Sequence, residues 1–408
     1  MNQIKNHKEL IINDPLYGFI TIKEPILIRL INHRFFQRLR RISQMGLASF
    51  VFPGATHSRF VHSLGCLHLL QTALQKLKND GYSISSEENM ATQIAMLLHD
   101  IGHGPFSHSL EFHFLNHSHE KITLALLQEL NTEFNGELSL AIEIYKNNYH
   151  QKYLHQLINS QLDMDRLDYL RRDGFFSGIE ENVVSYQRLI TMLKVNQQSE
   201  LVLNSKGLIS LENFLIARHN MYRQVYFHRT NLTCETMLQK IWQRVKYLWL
   251  HHNFKDFLYW NFDDLFLFAE NQFTATILET FCNLDDIAVL SLVKYWTQSN
   301  DVILSQLCQR LLQRNLFKST LQQKPFFDHF EAQTSTKICT DFNISPQEVS
   351  FFFEVRKIEI KFYQKQYQPI LIQQPEPHNI IEEFSTISTQ CQSYMATNVK
   401  YFGCYIQK

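Results

Sequence analysis

MATQIAMLLHDIGHGPFSHSL, residues 90–110, opens as a buried helix and closes on chemistry. Apolar side chains recur at Ile94, Ala95, Leu97 and Leu98, and Ser85 with Glu88 forms a capping-box start just upstream. The helix then runs into His99 and Asp100. Gly102 and Gly104 break it and Pro105 fixes the exit. His103 and His108 follow, so three imidazoles and a carboxylate fall within ten residues. Such groups bind metals and carry protons. A lone His-Asp pair more often marks a polar helix terminus, so the chemical alternative needs further ligands elsewhere.

Outward from this stretch, the chain has 408 residues, room for about two or three domains of roughly 100–200 residues each. Hydrophobic residues make up 45%, as in ordinary globular proteins. Lys+Arg and Asp+Glu balance at 39 each, which argues against nucleic acid as a partner unless a basic patch is local. The 32 Phe imply a large core, and only 12 Gly and 9 Pro favour helices over a β-sandwich. Seven scattered Cys without a CxxC predict reduced thiols. No stretch reaches the ~18 uninterrupted apolar residues of a membrane span, and no apolar leader is evident. A soluble, cytoplasmic protein without a membrane partner is expected.

In chain order, ELIINDPLYGFITIKE (9–24) predicts a short hairpin around Asn13-Asp14-Pro15 and Tyr17-Gly18. Residues 25–45 predict one helix whose basic run, Arg34, Arg38, Arg40 and Arg41, reads as a solvated face, with an anion site as the minority alternative. In FVFPGATHSRFVHSLG (50–65) a turn at Pro53-Gly54 precedes a helix starting near Thr56 or Ser58, with Arg59 and His62 on one face. Another helix covers 117–130, entered through His117, His119 and Glu120. QLDMDRLDYLRRDGFFSG (161–178) alternates Asp163, Asp165, Asp168 and Asp173 with arginines. Ion pairs such as Asp168 with Arg171 or Arg172 are the plain explanation. Leu162, Met164, Leu167 and Leu170 between the charges instead require at least one carboxylate to point inward, where it needs a cation. Residues 205–245 predict one or two helices with a basic-aromatic stripe at Arg218, Arg223, Tyr226, His228 and Arg229. Aromatic-rich helices follow over about 240–325, with Trp242, Trp249, Trp260 and Trp296. From about 345 the character turns to strand, in VSFFFEVRKIEIKFYQ, in QPILIQ closed by Pro375-Glu376-Pro377, and in the final VKYFGCYIQK. The fold class is thus mainly α, with an N-terminal hairpin and a C-terminal α/β region. The expected divisions are a catalytic core at 1–240, a helical extension at 241–330 and a small α+β region at 331–408.

If His62, His99, Asp100 and one carboxylate from 161–173 meet on facing helices, they form an N2O2 set for one divalent ion. Arg59, Arg166 and His108 would stand ready for phosphate oxygens. The expected chemistry is metal-assisted hydrolysis of a phosphoester.

His62, His99-Asp100 and then Asp165 resemble the HD-domain metal-dependent phosphohydrolases, and more closely the deoxynucleoside triphosphate triphosphohydrolase (dNTPase) branch. That branch includes an animal protein joining a sterile-alpha-motif to an HD domain. The matching pieces are FQRLRRISQMG, FPGATHSRFVHSLG, LLHDIGHGPFSH, His119-Glu120, LDMDRLDYLRRD and RHNMYRQVYFHR, in family order over residues 13–235. HDIGHGPFSH and LDMDRLDYLRRD are specific as a pair. The resemblance implies a helical HD bundle, and His62, His99, Asp100 and Asp165 as ligands of one divalent ion, whether Mg, Mn, Fe, Zn or Ni. It implies acid/base roles for His103, His119 and Glu120, and triphosphate contacts from Arg59, His108, Arg166 and Arg218. Gln44 and Met45 would contact the sugar, Tyr169 and Asp173 its 3′-hydroxyl, and Tyr226 the 2′ carbon, rejecting a ribose hydroxyl by sterics. In the implied reaction water attacks the α-phosphorus, the 5′-oxygen leaves with a proton from His103, and inorganic triphosphate is released.

The catalytic pattern begins almost at residue 10, so no sterile-alpha-motif region is expected. Gln37 and Arg40 match a regulatory nucleotide site, but its guanine-reading acidic position is Asn32. An amide presents one acceptor where a carboxylate presents two, which weakens the case for guanine-specific activation. Activation by another deoxynucleotide, or by none, stays open. The resemblance also implies a homo-oligomer, dimer or tetramer. Two rivals stand beside the dNTPase: an HD phosphohydrolase for monophosphates, cyclic nucleotides or alarmones, and a non-catalytic nucleotide sensor.

Overall fold

A computed structural model describes residues 9–408 except 115, 181–183, 259–261, 263–265, 267–272, 367, 376–379, 390 and 392–397. Trp260 and the Glu376-Pro377 pair lie outside the described residues. The chain opens with the expected hairpin, β1 (Leu10–Asp14) antiparallel to β2 (Gly18–Ile22). Asp14 Oδ1 closes its turn by accepting from the backbone N–H of Leu16 and Tyr17.

The single helix expected over 25–45 is broken. α1 (Pro25–Asn32) ends at His33, whose backbone is extended. The His33 ring then accepts from Phe35 N and starts α2 (Arg34–Arg38), followed by one 3₁₀ turn at 39–41. The apolar spacing persists through this kink because Phe35, Phe36 and Leu39 all still reach the core, so periodicity alone could not reveal it. The kink also carries Arg38 inward. Its guanidinium is fully buried and donates to the carbonyls of Leu284 and His103, both at 2.8 Å. For Arg38 the expected solvated face is therefore corrected to an internal brace.

α3 (Arg59–Asn79) starts at Ser58, and α4 (Ser86–Leu97) has the full capping box from Ser85 and Glu88. α5 (His119–Glu133), α6 (Ser139–Tyr145) and α7 (Lys152–Gln156) lead to α8 (Met164–Ser177). Asp163 caps α8 by accepting from Arg166 N, and Gly178 ends it in the left-handed region. α3 lies so close to α8 that a Cβ on Gly65 would stand 2.0 Å from Asp168 Oδ1. α9 (Tyr186–Met192) runs into β3 (Leu193–Val195) and β4 (Leu201–Asn204). α10 (Leu208–Met221) passes through a π-helical turn at Tyr222–Tyr226 into α11 (Arg229–His252).

Beyond α11 come helices at Ala275–Cys282, Asp286–Trp296 and Val302–Leu312, with the Trp296 ring packed edge-on to Trp242. The late strands appear as expected. Asn398–Tyr405 pairs antiparallel with both Lys318–Gln322 and Phe353–Ile360. Leu371–Gln373 pairs in parallel with β4, far back in the chain. Residues 240 and 241 are consecutive in α11, and one apolar cluster runs from Ile20 to Ile406. The seven cysteines are free thiols, and among the described residues no helix is long and apolar enough to cross a membrane.

Candidate active site

The end of α4, the start of α8 and the first turns of α3 converge on one buried point. α3 brings His62, the turn after α4 brings His99 and Asp100, and the first turn of α8 brings Asp165. His62 Nε2 lies 3.1 Å from Asp165 Oδ1 and 3.6 Å from Asp100 Oδ2. His99 Nε2 lies 3.4 Å from Asp100 Oδ1 and 3.8 Å from Asp165 Oδ1. These separations suit donors around one ion at about 2.0–2.2 Å from each.

Two features test the fit of a cation. First, each imidazole has its other nitrogen engaged: His62 Nδ1 with Asp168 Oδ2 at 2.8 Å, and His99 Nδ1 with Met96 O at 2.7 Å. This fixes Nε2 as the free lone pair in both rings, the usual arrangement behind a metal-binding histidine, and His99 Nε2 is buried without a hydrogen bond among the described residues. Second, the cluster holds surplus negative charge. Burial would raise the Asp165 carboxyl, but the facing His62 and His99 imidazoles outweigh it and hold it far below the ordinary range. Asp100 is likewise held down against burial by Arg59 and then His99. A divalent ion fits this donor set. Cys66 Sγ, 3.5 Å from the His62 ring nitrogens, adds a thiol at the back of the cluster.

Behind His62 lies a charge ladder. Asp168 receives two bonds from Arg172, at 2.8 and 2.9 Å, and Arg172 donates a third to Asp14 at 2.8 Å. Against burial, Arg172 and the His62 bond bring the Asp168 carboxyl down to about 2. The expected i,i+4 ion pair and the expected inward carboxylates are thus both present. The pairing was legible from spacing, but the duty of Asp168 toward His62 was not.

A cavity of about 480 Å³ opens on the cluster. It is lined by His99, Asp100 and Asp165, by His103, His108, His119 and Glu120, by Arg59 and Arg166, and by Gln44, Met45, Tyr169, Asp173 and Tyr226. Arg59 donates to Asp100 Oδ2 at 2.5 Å and to Ser107 Oγ at 2.7 Å. The His103 and His119 rings stack at 3.8 Å. Burial first, then Arg59 and His119, hold His103 well below the ordinary histidine value. The nearest carboxylate to His119 is not Glu120, at 3.5 Å, but Glu111, whose two oxygens take His119 Nδ1 at 2.7 Å and His108 Nδ1 at 2.8 Å. Glu111 was missed by sequence reasoning; its position three residues after His108 was the available signal.

Arg218 does not line this cavity. It is buried, and its guanidinium donates to Phe362 O at 2.5 Å. Asn32, Gln37 and Arg40 stand apart on the surface. Gln37 donates to Ile31 O, while Arg40 donates to Gln37 Oε1 and covers the Phe60 ring at 3.6 Å. Also unanticipated on the cavity wall are Tyr145, Tyr222, Asn231 and Glu235. Burial pushes the Glu235 carboxyl up to about 7, over the opposing pull of Arg356. The loop between cluster and cavity is strained: Phe106 and Ser107 have φ of 54° and 55°. Asp286 braces it by accepting from Phe106 N at 2.7 Å and Ser43 N at 2.8 Å.

Residues 59–173 match the HD domain model, and residues 184–272 match the HD associated region. The uncharacterized protein YwfO of Bacillus subtilis is 33% identical over 324 residues, covering 77% of this chain and 72% of its own length. Deoxynucleoside triphosphate triphosphohydrolase SAMHD1 of Homo sapiens is 29% identical over 272 residues, and the match spans 43% of that relative. A phosphohydrolase crystal structure from Bacteroides thetaiotaomicron superposes with a TM-score of 0.90 at 38% identity, covering 98% of this chain and all of that one.

Proposed function

The chain belongs to the HD-domain phosphohydrolases, and from that premise we propose that it hydrolyses deoxynucleoside triphosphates to deoxynucleoside and inorganic triphosphate. One observation carries the reading. A single cavity, lined by His99, Asp100 and Asp165 with His62 buried behind them, also holds two guanidiniums, three imidazoles and the Tyr226 phenol bonded to Asp173. The basic array suits a polyphosphate, and a phenol pinned beside a carboxylate suits a sugar lacking its 2′-hydroxyl.

An ion held by His62, His99, Asp100 and Asp165 supplies, when bound, a Lewis acid and a lowered pKa for water. Arg59 and Arg166 hold phosphate oxygens and spread the charge that builds in the transition state. His108 and His119, each fixed through Nδ1 by Glu111, keep Nε2 for the substrate. His103 starts uncharged; a triphosphate beside Arg59 offsets the cation that lowers it, and so favours loading of the proton for the 5′-oxygen. Asp173 and Tyr169 take the 3′-hydroxyl. Arg218 serves from behind, tying the Phe362 carbonyl beneath the cavity wall. A second nucleotide at Asn32, Gln37 and Arg40 and a homo-oligomeric assembly extend the proposal. Rate measured against an added second dNTP, and sedimentation, test these two extensions.

Product chromatography tests the main reading, with each dNTP and NTP supplied separately and with Mg, Mn, Fe(II) or Zn. Deoxynucleoside with triphosphate is the expected outcome. Orthophosphate or pyrophosphate points to the other HD hydrolases, and binding without turnover points to a sensor.

A further inference from the structure

We propose that His57 sets the sugar selectivity of the cavity without touching the substrate, by holding Asp173, which in turn holds Tyr226. The inference rests on the cavity being a deoxynucleotide site.

The loop carrying His57 is pressed against the C-terminal end of α8: a Cβ on Gly54 would stand 2.7 Å from Phe176 O. There the His57 ring stacks on Phe176, centroids 4.5 Å apart and 19° from parallel. Its Nε2 lies 2.7 Å from Asp173 Oδ1, and the other oxygen of Asp173 accepts from the Tyr226 hydroxyl at 2.6 Å. His57 Nδ1 is buried with no hydrogen-bond partner among the described residues, so the carboxylate selects the Nε2–H tautomer. The main chain of the same residue holds another cavity-lining segment, since the backbone N–H of Gln44 donates to His57 O at 3.0 Å. One buried residue thus ties Gln44 to Asp173, and through Asp173 to Tyr226.

Tyr226 needs such a tie. It ends the π-helical turn between α10 and α11, where side chains do not follow the regular 3.6-residue pattern. A steric filter for a 2′-hydroxyl works only if the ring cannot retreat by a fraction of an ångström, and the Asp173 bond is what stops it. Among the described residues no lysine or arginine lies at hydrogen-bond distance from Asp173, which is itself buried. Its position therefore depends on the His57 donor.

The test is the ratio of kcat/KM for a dNTP to that for the matching NTP, in wild type, His57→Leu, His57→Gln, Tyr226→Phe and the Leu/Phe double variant. Loss of the relay should lower the ratio about tenfold in His57→Leu. His57→Gln, whose amide reaches Asp173 from a similar distance, should restore most of it. In the double variant the ratio should fall no further than in Tyr226→Phe alone. If His57→Leu does not fold, His57→Asn takes its place, since the shorter amide cannot span the gap to Asp173. An unchanged ratio in a folded Leu or Asn variant, or effects of Leu and Phe that simply add, overturns the role of His57 and leaves the dNTPase reading intact. A wild type that neither turns over dNTPs nor prefers them over NTPs overturns that reading, and the role of His57 with it.

Discussion

At the metal cluster each residue has one measurable duty. His99→Ala and Asp165→Ala each remove one donor of a set of four, so bound metal in the purified protein should fall at least tenfold and turnover should vanish. Elemental analysis beside rate measurements checks this, and a metal-free variant with full activity contradicts it. Glu235 makes a separate prediction, on stability. Its carboxyl is raised from 4.5 to about 7, so the neutral form is the one the fold prefers. The stability that neutrality supports is complete below pH 4.5 and is lost as pH rises through 7. Glu235→Gln should therefore be more stable than wild type at pH 8, by on the order of 1–3 kcal/mol in urea unfolding, and show little gain at pH 4.5. A gap between the two proteins that does not change with pH would show that Glu235 is not neutral when folded. That His99, Asp100 and an inward carboxylate from 161–173 would meet was legible in the sequence, because His-Asp adjacency and the interleaved Asp-Leu pattern are local signals, while the choice of Asp165 came from the family resemblance. Asp168, Glu111 and Glu235 were not legible. Asp168 and Glu235 take their roles from surroundings brought close only by folding, His62 and the packing that buries the Glu235 carboxyl, while Glu111 had the i,i+3 spacing to His108 as a local sign but not its bond to His119.

At the level of elements, the contact of α3 with α8 positions the cluster. Gly65 permits it, since a methyl there would meet Asp168 Oδ1 at 2.0 Å and the Arg172 guanidinium at 2.3 Å. Gly65→Ala should therefore force α8 away from α3, at a cost of roughly 2–4 kcal/mol in urea unfolding. It should also lower metal content, because Asp168 orients His62. A variant with normal stability and full metal would show that the helices tolerate separation. The start of α4 was well forecast because the Ser85–Glu88 capping box is present, and the start of α3 falls at Ser58 although its side chain makes no capping bond. The break at His33 was not, because apolar spacing crosses the kink unchanged, and with it went the true position of Arg38. An arginine in a basic run reads as solvated unless the backbone carbonyls it will meet, here of His103 and Leu284, are already known.

The whole molecule shows why residues beyond the catalytic motifs are present. Leu371–Gln373 extends the sheet of β4, Asn398–Tyr405 is the central strand between Lys318–Gln322 and Phe353–Ile360, and Phe362 anchors Arg218. Lys240 and Arg244 of α11 bind Glu354 at 2.6 Å and Asp301 at 2.6 Å. Deleting residues 353–408 should leave Lys318–Gln322 unpaired and β4 with an open edge, and give an insoluble or non-cooperatively unfolding protein; a soluble, active truncation would refute that. The strand character of this region was legible. Its parallel pairing with β4 joins residues some 170 positions apart, which no local pattern records. Water attack at the α-phosphorus in this cavity can be read from a single turnover of a dNTP in ¹⁸O-water with mass analysis of the products. The proposed reaction gives unlabelled deoxynucleoside and inorganic triphosphate carrying one ¹⁸O. Label in orthophosphate or pyrophosphate, or in the nucleoside, would contradict it.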